Sequence, residues 1–140
     1  MDVRELERLQ RLLPGMRERG WGRVVLVASS AVREPLPPLQ LSNVHRPGMI
    51  AGFKVLARQS ARDGVTLNTL LPGRIATDRI IDTSGSREAA EEAARDAIPA
   101  GRLGDIADMG AAAAFLCSHQ AGYITGITLL VDGGLTVSVS

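Results

Sequence analysis

The chain has 140 residues, enough for one domain with a modest core but not for two. Apolar residues make up 45% of it and aromatic residues only 3%, so the core must be built mainly from Ala, Val, Leu and Ile. The formal net charge of +1, from 16 basic and 15 acidic residues, gives no electrostatic reason to expect nucleic acid or an anionic membrane as a partner.

A single cysteine, Cys117, cannot form an internal disulfide, and no apolar run reaches the roughly 18–20 residues that span a bilayer. The acidic start of the chain is not typical of a signal peptide. We therefore expect a cytoplasmic protein without a membrane span and without a metal site. We expect Cys117, between Leu116 and Ser118 on an apolar helix, to be a buried and unreactive thiol.

The hydrophobic periodicity predicts alternating helices and strands. In chain order the predicted elements are a helix up to Pro14-Gly15, a strand at 23–28, a helix at 43–62, a strand at 65–71, helices at 87–97 and 106–118, and a strand at 127–131. Asp2 and Glu5 form a capping-box pattern at the first helix, and Ser86 and Asp105 are good N-caps for two later ones. The composition of residues 82–86 predicts a mobile loop.

Strands separated by helices imply a parallel sheet with right-handed crossovers. We therefore predict an α/β fold, a three-layer α-β-α sandwich of about three strands and four helices.

Three segments of the sequence resemble the short-chain dehydrogenase/reductase family. Residues 22–30 are similar to the family's fifth strand, which ends in the active-site serine, and residues 64–77 are similar to its sixth strand and Pro-Gly turn. Three further stretches resemble the family's C-terminal signature: residues 99–104, 123–126 and 131–134. The resemblance implies that the chain forms the C-terminal half of a Rossmann-like sheet. It also implies that the chain is a divergent relative of the 3-oxoacyl reductases.

In proteins of that family, the N-terminal half carries a glycine-rich turn that holds the dinucleotide pyrophosphate at a helix N-terminus. No G-x-G-x-x-G follows a strand in this sequence. We therefore interpret residues 1–140 as a single partial domain from which the nucleotide-binding half is absent. NAD or NADP is the cofactor at the level of the family, and we expect this chain to bind it weakly or not at all.

The resemblance also implies hydride transfer between a nicotinamide and a small carbonyl or alcohol substrate. In the family a tyrosine moves the proton, a lysine one helical turn later lowers the pKa of that tyrosine and holds the ribose, and a serine binds the substrate oxygen. Ser42 stands at the tyrosine position, Arg46 at the lysine position and Ser30 at the serine position.

These replacements change the chemistry. A serine hydroxyl without a neighbouring base is a poor proton donor, and arginine stays charged, although Arg46 can still bind hydroxyls or phosphate. His45 could act as acid or base, but a solvated histidine at a helix end is the simpler interpretation. Pro47 is tolerated only in a first helical turn, so we expect its helix to begin near Asn43.

Pro72, Gly73 and Thr77 match the family's turn that lines the nicotinamide ring and its carboxamide. A simple strand-ending turn is the alternative interpretation, as a strand-end cap is for Ser30. For Tyr123, the only tyrosine, we expect a packing role, and for residues 132–134 a structural one.

Three functions remain open at this point. The first is a divergent NAD(P)-dependent oxidoreductase module that is inactive as an isolated chain. The second is a non-catalytic binding or oligomerisation protein derived from the family, and the third is a truncated fragment. In the family the strand matching residues 23–28 has neighbours on both sides, so we expect a homo-oligomer or a complementary N-terminal half to cover its apolar edge.

Overall fold

A computed structural model describes residues 3–139; for residues 3–6 and 38 it describes the backbone alone. The predicted capping box includes Asp2, which lies outside the described residues. The helices are α1 Val3–Glu18, α2 Gln40–Ser60, α3 Asp78–Ser84, α4 Arg87–Ala97 and α5 Ile106–Leu116. The strands are β1 Gly22–Val27, β2 Val65–Pro72 and β3 Thr128–Val131, and short 3-10 turns occupy Ser30–Val32, Pro37–Leu39 and Ala61–Asp63.

The three strands form one parallel sheet in the order β1-β2-β3. Gly22 pairs with Val65 at one end of the β1–β2 ladder and Val27 pairs with Leu70 at the other. Residues 65–71 of the central strand are all buried, so both faces of β2 are covered. This confirms the predicted Rossmann-like α/β fold.

The main core lies between the sheet and the first two helices. Its buried members come from α1, β1, α2 and β2, and they are Leu13, Leu26, Phe53, Leu56, Ala57, Val65 and Leu67. The helix α5 contacts all three strands and contributes the buried Leu116. Burial of each leucine, valine or phenylalanine side chain in this core stabilises the fold by roughly 1.5–3 kcal/mol.

A smaller core joins α3 and α4 to the carboxyl ends of the strands. It consists of the buried residues Ala90, Ala94, Ile98 and Leu103, with Ala76, Ile80 and Leu135 packed against them. An isolated parallel bridge between Ile75 and Gly104 connects this unit to the chain leaving β2. The helix α3 occupies much of the segment that the sequence predicted as a mobile loop, so the described chain has five helices rather than about four.

The second helix corrects the expectation for Pro47. It begins at Gln40 rather than near Asn43, and Pro47 lies in its interior. Met49, Phe53 and Leu56 on the same helix are buried. Burial of this apolar face against the sheet offsets the missing N–H of the proline, because tertiary packing supplies most helix stability.

Two side chains are more exposed than expected. The helix α5 ends at Leu116, which leaves Cys117 at the C-cap with an exposed thiol. Tyr123 lies in the loop before β3 and is fully exposed, so the predicted packing role is wrong. No helix within residues 3–139 is long and apolar enough to cross a membrane.

Candidate active site

The chain leaves all three strands at the same edge of the sheet. The amide of Ala28 donates to the Leu70 carbonyl at 2.9 Å and extends the β1–β2 ladder by one residue. The amide of Gly73 donates to the Val131 carbonyl at 3.0 Å and does the same for β2 and β3. The segments that carry Ser30 and Pro72-Gly73 therefore begin side by side, because parallel strands share their carboxyl edge.

An open cleft of about 380 Å³ lies between the end of β1 and the first half of α2. The described residues that line it are Leu26, Val27, Ala28, Leu41, Ser42, His45, Arg46 and Met49. It runs along the edge of β1 that has no neighbouring strand within residues 3–139, where Val27 is 60% exposed. The structure thus brings Ser42 and Arg46 together, with His45 beside them.

The polar side chains of this cleft are positioned by α2. Ser42 and Arg46 are four residues apart, so they lie on the same side of the helix. One guanidinium nitrogen of Arg46, Nη1, donates to the carbonyl of Ala28 at the end of β1. The Ser42 hydroxyl is buried and has no hydrogen-bond partner among the described residues. A buried hydroxyl without a partner is costly, which makes it a good donor or acceptor for a ligand.

Ser30 does not line this cleft. It opens the 3-10 turn after β1, and its carbonyl accepts from the Arg33 amide at 2.8 Å. The capping role that we considered for Ser30 falls instead to Ser29, whose hydroxyl accepts from the Ala31 amide at 3.2 Å. Sequence reasoning missed Ser29, although a serine whose hydroxyl accepts from the backbone amide two residues later is a common pattern at turns.

The turn after β2 is fixed by a close approach of two backbones. A Cβ added to Gly73 would lie 2.6 Å from the Cβ of Asp132, so only glycine fits here without a shift. Thr77 is the N-cap residue of α3 and is exposed. Its carbonyl accepts from the Ile80 amide at 2.9 Å, and its side chain makes no capping hydrogen bond.

Asp132 shapes the turn that faces Gly73. Partial burial opposes its ionisation, but its carboxylate accepts hydrogen bonds from the amides of Thr136 at 2.9 Å and Gly134 at 3.0 Å. The hydrogen bonds outweigh the burial and hold the pKa of Asp132 below its ordinary value. This ionised carboxylate organises backbone, which agrees with the structural role predicted for residues 132–134.

An ion pair connects the loop before α5 to the first turn of that helix. Arg102 contacts the carboxylate of Asp108 at 2.9 Å, and the same carboxylate accepts from the Asp105 amide at 2.9 Å. The hydrogen bond from Arg102 lowers the pKa of Asp108. Asp105 and Asp108 together form a capping box, so the N-cap predicted at Asp105 is present. Among the described residues, no group of three or more His, Cys, Asp or Glu side chains could hold a metal ion.

The residues present suit one end of a nicotinamide dinucleotide. The buried hydroxyl of Ser42 lacks a partner, and Arg46 uses one of its five N–H donors on Ala28, which leaves donors for ribose or substrate oxygens. The pyrophosphate end has no equivalent in the described part of the chain, because none of its strand-to-helix turns has a G-x-G-x-x-G sequence. The fit therefore covers the nicotinamide end only.

A parallel sheet covered on both faces, with polar side chains at its carboxyl edge, defines a Rossmann-like α/β protein. The family model described as Enoyl-(Acyl carrier protein) reductase matches residues 6–136. The chain belongs to the short-chain dehydrogenase/reductase family, an oxidoreductase family, as the resemblance predicted.

Three comparisons define this similarity further. The chain is 39% identical over 127 residues to Nodulation protein G of Azospirillum brasilense, which covers 90% of the chain. YwfH, an NADPH-dependent reductase involved in bacilysin biosynthesis, superposes with a TM-score of 0.87 at 30% identity over 96% of the chain. A 3-oxoacyl-(acyl-carrier-protein) reductase from Agrobacterium tumefaciens C58, solved with NADP bound, superposes with a TM-score of 0.84 at 35% identity over 92% of the chain.

The chain spans about half the length of each of these proteins. It corresponds to 50% of Nodulation protein G, 54% of YwfH and 50% of the Agrobacterium reductase.

Proposed function

We propose that this chain supplies the substrate and nicotinamide side of an NAD(P)-dependent oxidoreductase and does not turn over substrate without a nucleotide-binding half. The observation that carries the proposal is the cleft at the open edge of β1, which Ser42 and Arg46 both line. We assign these two residues to the positions of the family's tyrosine and lysine on the sequence resemblance. Two similar reductases of known structure are NADPH-dependent or contain NADP, which supports the cofactor class.

Each polar group of the site has a proposed task. The Ser42 hydroxyl donates a hydrogen bond to the substrate oxygen, and Arg46 holds the ribose hydroxyls. Pro72, Gly73 and Thr77 line the nicotinamide and its carboxamide. NAD(P), when bound, supplies or accepts the hydride of a small carbonyl or alcohol substrate.

Ser30 differs from the other proposed catalytic residues in its position. It follows β1 at the carboxyl edge, and α2 packs against the turn that it opens, but it is not among the described residues that line the cleft. We assign it a hydrogen bond to substrate only in the assembled enzyme.

The chemistry of the cleft is a second reason for low turnover, and it would slow proton transfer even when a nucleotide-binding half is supplied. A serine hydroxyl has no accessible proton at neutral pH unless a base takes it, and Arg46 remains a cation. His45 is the one other titratable side chain among the described residues that line the cleft, and it is exposed. A proton path through Ser42 would therefore depend on His45.

Residues 1–140 are, in this proposal, one partial domain that needs a complementary nucleotide-binding half, whether that half belongs to the same polypeptide or to another. Isothermal titration calorimetry of the 140-residue chain with NADH and with NADPH tests this. We expect no saturable binding up to millimolar cofactor, because the described residues offer the pyrophosphate no helix N-terminus with a glycine-rich turn. A micromolar dissociation constant for either cofactor would overturn the proposal.

A non-catalytic association protein is the second candidate, and exposed apolar side chains favour it. Leu41 is 88% exposed and Val27 is 60% exposed, and both line the cleft at the β1 edge, while Val44 on the same helix as Leu41 is 80% exposed. A surface with several large apolar side chains is typical of an interface. Carbonyl reduction by the chain together with a nucleotide-binding half would exclude this candidate.

A further inference from the structure

We propose that Glu34 is a positioning residue of the candidate site. Its carboxylate holds the C-terminal tail, residues 135–139, against the loop after β1, and this contact fixes Ser30 relative to the turn at Pro72-Gly73. The inference rests on the function proposed above, because Ser30 has its role there. The contact itself belongs to the 140-residue chain, so it can be tested without turnover.

The loop after β1 reaches past the neighbouring strand to β3. The strand order is β1-β2-β3, so β1 and β3 are not neighbours in the sheet. Nη2 of Arg33 nonetheless donates to the Thr128 hydroxyl in β3. Glu34 is partly buried, and its Oε1 accepts from the amides of Val137 at 2.8 Å and Ser138 at 3.0 Å. The loop is therefore joined both to β3 and to the tail that follows it.

The far end of the tail depends on Glu34. Val137 is 85% exposed and Val139 is fully exposed, so the packing of these side chains contributes little. Hydrogen bonds to a carboxylate are stronger than hydrogen bonds between neutral groups. Both amides donate to the same oxygen, so one side chain determines where this part of the tail lies.

The near end of the tail is fixed at the turn that faces Gly73. The carboxylate of Asp132 accepts from the Thr136 amide at 2.9 Å, and Leu135 packs against the smaller core. A Cβ added to Gly73 would lie 2.6 Å from the Cβ of Asp132, so the turns after β2 and β3 are in close contact. The tail thus connects the Gly73 turn to the loop that carries Glu34.

A short turn connects Glu34 to Ser30. The amides of Arg33 and Glu34 both donate to the Ser30 carbonyl, at 2.8 Å and 3.3 Å. This turn contacts β2 and α2. A displacement of Glu34 is therefore transmitted to Ser30, and a misplacement of about 1 Å in a catalytic group can cost about 10²-fold in rate.

Amide hydrogen exchange of the 140-residue chain, followed by NMR, tests the contact. Glu34→Ala removes the acceptor, and we expect the Ala31 and Arg33 amides to exchange about tenfold faster, although neither donates to Glu34. Glu34→Gln is the matched control, because it also removes the charge but keeps an oxygen that can accept both N–H groups. It should retain most of the protection. The Thr136 amide, held by Asp132, should exchange at the same rate in both variants, which excludes a general loss of the fold.

A purely local contact would give a different pattern. Faster exchange of the Val137 and Ser138 amides in Glu34→Ala, with unchanged exchange at Ala31 and Arg33, would overturn the inference.

Proline variants test the same contact from the tail. Val137→Pro removes one of the two N–H donors and should accelerate exchange at Ala31, to a smaller extent than Glu34→Ala does. Val139→Pro is its control, because the tail amides that donate to Glu34 are those of Val137 and Ser138. Equal effects of the two prolines would contradict a role for the lost donor.

A double-mutant cycle shows whether Glu34 acts through Ser30. The chain also carries Ser42→Tyr and Arg46→Lys, and a nucleotide-binding half is supplied, so that turnover can be measured. Glu34→Ala should lower kcat about tenfold and leave KM within about twofold. Ser30→Ala should lower kcat at least as much, and the combined variant should be no slower than Ser30→Ala. Additive losses would refute the positioning role.

The two proposals fail separately. If Ser30→Ala leaves kcat unchanged, the role proposed for Ser30 fails, and the positioning role of Glu34 fails with it. Unchanged exchange at Ala31 and Arg33, together with a loss of kcat in Ser30→Ala, refutes the role of Glu34 alone.

Discussion

Ser42 and Arg46 lie one helical turn apart and line the same cleft. This spacing would suit a proton donor and a cation that lowers the pKa of that donor. Serine and arginine side chains, however, are not suited to these two roles. The ordinary pKa of a tyrosine is about 10, and a nearby cation can lower it toward neutrality, whereas an aliphatic hydroxyl is far less acidic. The proposed weakness in proton transfer therefore comes from the side chains at positions 42 and 46, and not from their spacing on the helix.

The double variant Ser42→Tyr with Arg46→Lys should restore proton transfer. With a nucleotide-binding half supplied, we expect carbonyl reduction to rise about 10²-fold or more, which is typical of general acid catalysis. The rate of NADPH oxidation with a carbonyl substrate measures it, and each single variant serves as a control. Faster reduction by the unmodified pair would mean that Ser42 or His45 already moves the proton.

Gly73→Ala should destabilise the fold at the carboxyl edge. The new methyl group would lie 2.6 Å from the Cβ and 2.8 Å from the Cα of Asp132, and a backbone atom cannot move aside at low cost. We expect a loss of about 1–3 kcal/mol in the free energy of unfolding, measured by urea denaturation.

Gly48→Ala is the control for this substitution. Apart from the backbone of its own helix, no described atom lies within 4 Å of a Cβ added to Gly48, which is in the interior of α2. Alanine should therefore raise the free energy of unfolding by up to about 1 kcal/mol. Equal effects of the two substitutions would contradict the steric argument.

Single residues were also the hardest to predict from the sequence. Cys117 follows an apolar helix in the sequence, but exposure depends on where that helix ends, and helix ends are weakly encoded. Tyr123 was assigned a packing role from residue type alone, yet the loop before β3 directs it outward. The pairing of Ser42 and Arg46 in a cleft was predictable, because the i, i+4 spacing survives a shift of the helix start.

Among the elements, those with strong periodic or capping patterns were predicted well. The helix α4 has the predicted bounds, with Ser86 accepting from the Ala89 amide at 3.1 Å as its N-cap. The helix α3 was missed because it has seven residues and starts without a side-chain cap. Its stability comes from packing against α4 through contacts such as Ile80, and such tertiary contacts leave no local pattern.

The proline in the interior of α2 leads to a prediction about the stability of this helix. Pro47 removes one helical N–H in the eighth position of the helix, so Pro47→Ala should raise the free energy of unfolding by about 1–3 kcal/mol. Thermal denaturation followed by circular dichroism measures the gain.

Pro37 is the matched control. It lies at the start of the 3-10 turn Pro37–Leu39, where a missing N–H costs little, and Pro37→Ala should change stability by less than about 1 kcal/mol. A stabilisation by Pro37→Ala as large as that by Pro47→Ala would show that relief of the helix interior is not the cause.

At the scale of the whole molecule, the open edge of β1 decides the state of association. Within residues 3–139 this strand pairs only with β2, and the exposed Val27 and Leu41 border its free side. An unpaired apolar edge is a template for another chain. We therefore predict that the 140-residue chain forms homo-oligomers, or a hetero-assembly when a nucleotide-binding half is present.

Light scattering at low micromolar concentration tests this prediction. The expected mass exceeds that of the 14.8 kDa monomer, and the amides of residues 24–27 should exchange slowly with solvent. Val27→Lys is an informative variant, because a charge on a free edge disfavours pairing and should shift the chain toward monomer. A stable monomer with fast exchange along residues 24–27 would show that the edge is tolerated in water.

The order of strands in space is the order in the chain, β1-β2-β3, and this bears on how the protein is made. On the ribosome β1 emerges before β2, and residues 28–64 must be synthesised before β2, its partner strand within residues 3–139, begins to appear. At about 5–20 residues per second, that interval lasts on the order of several seconds. The strand whose second side is unpaired within residues 3–139 is thus also the one that is synthesised seconds before β2, so this is the interval in which a chaperone would protect the nascent chain.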